Sequence, residues 1–509
     1  MIRYTPSSQL KFEEFESPFD QHLREDNKWV QLAGAIPWDD CAKIYHQYLD
    51  AKRGAPSLDA RLVLGALIIK HMKELSDRDV VTEIQENIYL QYFVGFSSFN
   101  PEPAFDPSLF VTFRKRLGLA AFEKMNDLIV SKALKLKGKE SENKDDNDDS
   151  NNNNTNEEEK VKRQGRLKID ATVADQMIEY PTDLKLLHTA REETERLIDI
   201  LYDQSGKKGK KPRSYRRKAR KEYLSMAMKK RKSKQKIRVA VGKQLRYLRR
   251  NIKTINKMWD ATGNIKSPFN FRDLKLFWVI QVLYSQQNEM YTQKENRCAN
   301  RIVSIYQPHV RPIPRGKEKH KTEFGSKLGV SEYKGYCWLD NLSWEAYNEV
   351  KDLRTHVESF KKRTGHYPEV VLSDGKYLSR ENRKWLKEKK IRHIGKRLGR
   401  PKELSTYEKR RLKKERGMRN HIEGKFGQGK NAYGMSKIRA RLQQTSESWV
   451  AGILLSMNLV KWQKDLPFFY SFIELGHYSQ QITTRILMQL KSILFSGQSS
   501  KHSCLAHAG

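Results

Sequence analysis

The sequence predicts an α/β domain preceded by an all-α domain. Residues 25–135 repeat apolar positions at helical spacing, residues 138–160 contain almost no apolar side chain, and the chain after residue 165 alternates strand-like and helical patterns. A stretch so poor in apolar groups cannot repay the entropy of ordering. We therefore predict a helical domain at 1–137, a disordered acidic, asparagine-rich linker at 138–160, a mixed domain at 161–463 with a basic helical insertion at about 184–300, and a tail of unknown role at 464–509.

The charge balance points to a polyanionic partner. The 509 residues include 98 Lys and Arg against 61 Asp and Glu, a net charge of +37, and such a field concentrates polyanions, with nucleic acid ahead of anionic membrane. The four cysteines form no CxxC pair, which argues against a zinc ribbon or a disulfide scaffold and favours a reducing compartment. No apolar run has the length of a membrane span, and no signal peptide is evident. We expect a soluble cytoplasmic protein, associated with the nucleoid, without a membrane partner.

Three helices are predicted in the N-terminal part. The first is 57–75 behind Ser57, the second begins at a capping box of Ser76 and Asp79 and ends near Tyr92, and the third is 106–118, opened by Asp106-Pro107 and stopped by Gly118. The third contains the basic residues Arg114, Lys115 and Arg116. Short successive helices of this kind are compatible with a helix-turn-helix that reads DNA, and equally with a helical bundle that has a solvated basic face.

Beyond the linker, residues 166–173 alternate in the manner of a strand. Gln176–Tyr180 can continue it as a hairpin arm, and Thr182 or Asp183 can cap the next helix. Within the following helical region, residues 206–257 hold 23 Lys and Arg and a single acid, Glu222. Such a stretch repels itself unless it is solvated or lies against phosphates, and we favour DNA contact over a merely solvated helix.

The rest of the mixed domain alternates strand and helix. Strand patterns are predicted at 301–313, 323–340, 368–378 and 391–397, and helices at 343–362, 379–390 and 405–430, the last at least to Phe426.

Two aspartates occupy costly positions in these strands. Asp170 lies within one apolar strand, and Asp374 directly follows another in the sequence VLSDG. If the two strands are neighbours, their carboxylates converge, repel one another and favour a divalent cation such as Mg²⁺. Either aspartate alone is more readily explained as an ordinary strand end or turn.

The helix at 405–430 adds a third carboxylate. Arg419, Glu423 and Lys430 lie at offsets of four and seven and therefore share one helix face. Alone, Arg419 and Glu423 could be a simple i,i+4 ion pair. The glycines at 424, 427 and 429 cost helix stability, which suggests either close approach of another backbone or a helix that ends before Lys430.

The segments KIDAT and VLSDG and the spacing R-x₃-E-x₆-K together resemble the DDE transposases of bacterial insertion sequences, specifically the insertion-sequence 4 and 5 grouping. Its signature Y-x₂-R-x₃-E-x₆-K maps onto Arg419, Glu423 and Lys430, but its tyrosine position falls on Arg416, so the role of that tyrosine is unassigned. Segments such as EFGSK and IEGKFGQGKNAYGMSKIRARL are also similar. The resemblance covers roughly residues 30–135 and 165–462.

This resemblance implies an RNase H-like mixed-sheet domain, with Asp170 and Asp374 on neighbouring strands and Glu423 on a helix. These three residues would be catalytic and would bind two Mg²⁺ ions, for which Mn²⁺ can substitute, while Arg419 and Lys430 would bind DNA. The implied protein binds the terminal inverted repeats of its own element, cleaves and transfers strands without a covalent enzyme intermediate, has transposon ends and target DNA as partners, and forms a homodimer on DNA. A related RNase H-like nuclease, and a DNA-binding regulator or inactive transposase relic, are the alternatives.

Overall fold

The structure, a computed structural model, describes residues 23–50, 56–141, 163–207, 209–261, 267–314, 322–396, 399 and 404–465, and only the backbone at 136–141. Most of the predicted linker and nearly all of the predicted tail lie outside these residues. In the described part, no helix combines the length and apolarity that crossing a membrane requires.

The N-terminal part is helical, as predicted. Its helices are α1 Lys28–Ala35, α2 Trp38–His46, α3 Ala60–Met72, α4 Asp77–Glu86, α5 Ile88–Val94 and α6 Leu109–Ser141.

Helix boundaries in this part follow the capping residues. The capping box of Ser76 and Asp79 is present at α4. The predicted start of α3 at Ser57 is wrong, because Asp59 accepts the Arg61 amide at 2.7 Å and is the N-cap. The predicted continuation of α4 to Tyr92 is also wrong, since Asn87 leaves the helical region (φ −121°, ψ 111°) and caps α5. Gly118, with φ 60°, interrupts α6 rather than ending it.

The remainder of the chain is a mixed α/β structure. Its elements are, in order, β1 Arg166–Asp175, α7 Asp183–Gln204, α8 Arg216–Ala227, α9 Lys234–Asp260, α10 Phe271–Gln293, β2 Arg311–Pro314, β3 Thr322–Tyr333, β4 Tyr336–Ser343, α11 Asp352–Thr364, β5 Val370–Leu372, α12 Arg380–Glu388, β6 Arg392–His393, α13 Thr406–Ala432 and α14 at 443–465.

Several boundaries in this part differ from the sequence prediction. Thr182 caps α7 as expected, but Gln176–Tyr180 forms no hairpin arm: only Gln176 pairs, with Ile438. The pattern at 301–313 yields a strand only at its end, β2. The helix predicted at 343–362 begins at Asp352, after a 3₁₀ turn at Glu349–Lys351.

The predicted mixed sheet is present, with β1 near its centre. β1 pairs antiparallel with β3 on one side and parallel with β5 on the other, β6 extends the parallel edge, and β2 and β4 pair antiparallel with β3. Because β1 and β5 are parallel neighbours, residues at their carboxyl ends meet at one edge.

The N-terminal helices and the sheet share one apolar core. This core combines residues of α1–α6 with Leu167 and Ile169 of β1 and with Leu455 and Trp462 of α14. The predicted helical domain at 1–137 and the mixed domain are therefore separate in sequence, but their side chains pack into one continuous core.

Helices α7–α10 are inserted between β1 and β2 and pack around apolar clusters of their own. In α9, Leu245, Leu248 and Ile255 are buried. Its opposite face exposes five basic side chains at helical spacing: Arg246, Arg249, Arg250, Lys253 and Lys257. We call these five residues the α9 basic stripe.

Candidate active site

The pairing of β1 with β5 brings the two predicted aspartates to one edge of the sheet. Lys168 is paired with Leu372, the last residue of β5. Asp170 lies two residues further along β1, and Asp374 lies two residues beyond the end of β5, so both lie at the edge of the sheet where the pairing of these strands ends. Asp374 leaves the strand and caps a 3₁₀ turn, where its carboxylate accepts the Gly375 amide at 2.6 Å.

Helix α13 brings Glu423 to the same place. Ile422 and Phe426 are buried against the sheet side of the helix, while Glu423 points away from that core and about half of its side chain is exposed. Asp170, Asp374 and Glu423 all line one cavity of about 610 Å³. The structure thus brings together the three acids that the sequence singled out.

Burial raises the pKa of the Asp170 carboxyl above its ordinary value, and the negative charges of Glu349 and Glu423 act in the same direction. The Ala171 amide, a hydrogen-bond donor, and the Arg419 guanidinium oppose this shift. A carboxylate in this position is electrostatically costly, so the site favours any cation that approaches it.

Arg419 supplies such a cation within the chain. Its guanidinium lies 2.8 Å from Glu423 Oε1 and 3.5 Å from Asp170 Oδ2, bridging two of the three acids. Lys430, also on α13, lies 3.3 Å from Glu323 Oε1 and 3.7 Å from Asp175 Oδ2. Both predicted DNA-binding residues therefore line or border the cavity, where each is paired with carboxylates.

Glu349 and Lys327 also line the cavity, although neither was predicted from the sequence to belong to the site. Lys327 Nζ lies 2.8 Å from Glu349 Oε1 and donates to the Tyr347 carbonyl at 2.8 Å. Lys327 belongs to the segment EFGSK, which was a usable signal. Glu349 gave none, because it lies in a stretch whose pattern predicts a helix but which forms a 3₁₀ turn.

The glycines of α13 have different settings. The helix continues to Ala432, so the predicted alternative that it ends before Lys430 is wrong. A Cβ at Gly429 would lie 2.9 Å from Met435 Cε and 3.3 Å from Met457 Sδ, a close approach of side chains rather than of a backbone. Gly427 lines the cavity, and a Cβ there would meet no atom within 4 Å.

The described residues contain no group of three His, Cys, Asp or Glu side chains already arranged as a metal site. The donor set nevertheless fits a hard divalent cation, since the cavity is lined by carboxylate oxygens. The bridging position of Arg419 shows that a positive charge between Asp170 and Glu423 is accommodated, which supports the same fit.

Comparison with known proteins gives two family matches. Residues 17–116 match the family described as "Transposase domain (DUF772)", and residues 371–460 match the family described as "Transposase DDE domain". Over 185 residues the chain is 29% identical to "Uncharacterized protein ORF8 in nfe locus" of Rhizobium meliloti, covering 36% of this chain and 79% of that protein. No solved structure matches the chain significantly.

The two matched ranges fall on separate features described above. The first covers most of the N-terminal helices, and the second includes Asp374, Glu423 and the whole of α13. The insertion-sequence 4 and 5 grouping stays a prediction. Together with the placement of the acids, these matches indicate a DNA transposase similar to the insertion-sequence DDE type.

Proposed function

We propose that this transposase binds the terminal inverted repeats of its own insertion sequence and carries out metal-dependent strand cleavage and strand transfer in an RNase H-like domain. The observation that supports it best is that Asp170, Asp374 and Glu423, from two neighbouring strands and a helix, line one cavity. A mixed sheet with the acids so distributed is the arrangement that the family resemblance implies.

The three carboxylates would hold two Mg²⁺ ions, or Mn²⁺ in their place. When bound, such ions supply activation of the attacking water or 3′-hydroxyl and stabilisation of the leaving oxygen. The chain offers no Ser or Tyr nucleophile by motif, so its own residues position the phosphate rather than attack it. Glu349 adds a further carboxylate beside Asp170, and Lys327 pairs with it.

Arg419 and Lys430 are proposed to contact phosphates near the scissile bond. Arg419 is now engaged by Asp170 and Glu423. Were Asp170 and Glu423 to hold a metal ion, the Arg419 guanidinium would be free of them and could donate to a phosphate. Arg419 would thus have two roles, pairing with Asp170 and Glu423 in the absence of a metal ion and contacting a phosphate in its presence.

The wider organisation is part of this proposal. The helical region 1–137 would read the terminal repeat, the insertion at about 184–300 would add sequence-independent affinity, and two copies would join on DNA to hold both ends and the target. Arg114 is buried against Asp77, so Lys115 and Arg116, which are exposed, are the members of that basic group that could contact the bases or backbone of the terminal repeat from the surface of α6.

The test uses the full chain and a labelled duplex containing the terminal repeat that flanks the gene. Preferential binding of this duplex with Mg²⁺-dependent cutting at its end supports the proposal. Binding without cutting indicates a regulator or an inactive relic, and cutting of any duplex without end preference indicates a nuclease.

A further inference from the structure

A second basic feature lies away from the acids, in the segment just before α14. Lys437, Arg439 and Arg441 are exposed, whereas Ile438 and Ala440 between them are buried. Alternation of this kind is the period of an extended strand, so the three cations share one face at intervals of roughly 6.6 Å. We call Lys437, Arg439 and Arg441 the basic row.

The basic row is held firmly against the end of β1. The Ile438 amide donates to the Asp175 carbonyl at 2.9 Å, and the Met177 amide donates to the Ile438 carbonyl at 2.9 Å. Side-chain Nε2 of Gln176 donates to the Ala440 carbonyl, which also accepts from Ser446 Oγ at 2.7 Å. The three side chains are therefore displayed from a fixed backbone, which is the pre-organisation that a binding surface needs.

Facing the row is a cavity of about 450 Å³ between α3, α4, α6 and the start of α14; we call it the junction cavity. Lys70 and Arg114 line it with almost fully buried side chains, and both pair with Asp77. Lys70 Nζ lies 2.8 Å from Asp77 Oδ1 and 4.4 Å from the centroid of the Trp449 ring. One carboxylate thus serves two buried cations.

The mouth of the junction cavity adds cations without adding carboxylates. Arg439 and Arg441 both line it, and within the described part of the chain neither has a carboxylate at ion-pair distance. Burial lowers the pKa of Lys70, and the charges of Arg114 and Arg439 lower it further against the opposing effect of Asp77. The cavity therefore has an unbalanced positive potential that favours an anion.

We propose that the junction cavity and the basic row bind consecutive backbone phosphates of the DNA duplex held by the transposase. The inference rests on the proposed function for the identity of the partner and adds a contact surface outside the acid cluster. Arg441 also lines the next cavity, beside Tyr180 and Tyr306, so the positive surface continues past the end of β1. Because the contacts are to phosphate, they carry no base sequence information.

The experiment compares two charge-matched double variants of the full chain. Arg439→Gln with Arg441→Gln removes two cations of the row, and Lys384→Gln with Lys387→Gln removes two exposed cations of α12. Binding of the terminal-repeat duplex and of a random duplex of equal length is measured over a range of salt concentrations. All four side chains are exposed, so unchanged thermal midpoints are expected and confirm that both variants fold.

The row variant should bind both duplexes at least about tenfold more weakly than wild type, with a salt slope lower by about two. The α12 variant should change neither. A scan with single methylphosphonates, which neutralise one phosphate each, should reveal positions that weaken the wild type but not the row variant. Equal behaviour of the two variants overturns the inference.

Two further outcomes separate this inference from the proposed function. If the wild type neither prefers nor cuts the terminal repeat, yet the row variant still loses affinity for random duplex, the proposed function fails and the phosphate contacts stand. If inorganic phosphate stabilises the wild type through the row while DNA affinity is the same in wild type and row variant, the ligand is a free anion and the inference is overturned.

Discussion

Arg419 is the cation that lies between two of the three acids of the cavity. Its contacts with Glu423 and Asp170 place a positive charge between two carboxylates that otherwise repel each other. The i,i+4 spacing on α13 made the pair with Glu423 predictable from sequence. Its contact with Asp170, which is 249 positions away in the chain, depends on how α13 packs across β1 and could not be read from spacing.

Replacing Arg419 by Ala should therefore have two effects. Without Mg²⁺, the unfolding free energy should fall by about 1 kcal/mol, because Asp170 and Glu423 lose their shared partner, and added Mg²⁺ should restore most of this loss. The terminal-repeat duplex should also bind more weakly, with a salt slope lower by about one. Denaturant unfolding with and without Mg²⁺, together with DNA titrations, measures both.

Arg416→Ala is the matched control on the same helix, since Arg416 is exposed. If Arg419→Ala is destabilised equally with and without Mg²⁺ and binds DNA as the wild type does, Arg419 and Glu423 form only a local ion pair on α13.

The helices and strands differ in how well their positions could be predicted from local sequence. α13 was predictable because its capping box of Ser405 and Glu408 and long polar face are local signals. The limits of β2, predicted at 301–313 and found at Arg311–Pro314, and the turn at Glu349–Lys351 were not, because they depend on pairing with β3 and on packing beside the 3₁₀ turn after Asp374. For this reason Glu349 could not be predicted as a residue of the site.

The α9 basic stripe should contribute DNA affinity that does not depend on base sequence. Changing Arg246, Arg249 and Lys253 to Gln should lower the salt slope of DNA binding by about three and weaken terminal-repeat and random duplexes equally, because contacts to phosphate do not discriminate sequence. Competition binding at fixed salt, with a salt series for each duplex, tests it. A triple variant of Lys362, Lys384 and Lys387 removes the same charge elsewhere. Selective loss of terminal-repeat binding would instead give α9 a role in sequence reading.

The contact between α7 and α8 should be sensitive to pH through His188. Its ring stacks on Tyr223 at a centroid distance of 3.6 Å, and its Nδ1 lies 3.0 Å from an Arg191 nitrogen, a contact that suits an unprotonated ring nitrogen. Burial, reinforced by Arg191, Arg220 and Lys185, lowers the pKa of His188 to about 4. Because the unfolded chain binds this proton near pH 6.5, stability from His188 is lost as pH falls from about 6.5 to about 4.

Between pH 7 and pH 5 this contribution amounts to about 1 kcal/mol after allowance for the ring's partial exposure. His188→Gln should therefore show a smaller decrease in unfolding free energy over that interval than the wild type, measured by denaturant unfolding at both pH values. His421, an exposed histidine on α13, provides the control His421→Gln. An identical pH dependence in wild type and His188→Gln would contradict the assignment.

Buried hydrogen bonds also connect the N-terminal helices to the sheet. Asn458 of α14 donates to Asn126 Oδ1 at 2.8 Å and to the Cys337 carbonyl at 2.7 Å, and it accepts the Cys337 amide at 2.9 Å. These three buried groups connect α6, β4 and α14. The sequence predicted a helical part followed by a mixed α/β part, and both classes of structure are present. The core that the two parts share arises from contacts far apart in the chain, which local patterns do not predict.

Asn458→Ala should lower the unfolding free energy by about 3 kcal/mol, because it leaves buried polar groups of Asn126 and Cys337 without partners. Hydrogen exchange should accelerate together in α3 and in β4, since both belong to one cooperative core. Asn256→Ala, at an exposed position of α9, is the control. Loss of protection in only one of the two elements would show that the helical part folds independently of the sheet.

Cleavage of a labelled terminal-repeat duplex by the full chain tests whether β1, the turn after β5 and α13 together form one metal-dependent cleavage site. Asp170→Asn, Asp374→Asn and Glu423→Gln should each abolish Mg²⁺-dependent cleavage while end binding persists, because each change removes a carboxylate charge from the cavity and leaves the fold intact. Glu388→Gln, an exposed change on α12, should cut as the wild type does. Near wild-type, Mg²⁺-dependent cleavage by any one of the three acid variants would exclude that residue from the site and contradict the proposed three-carboxylate site.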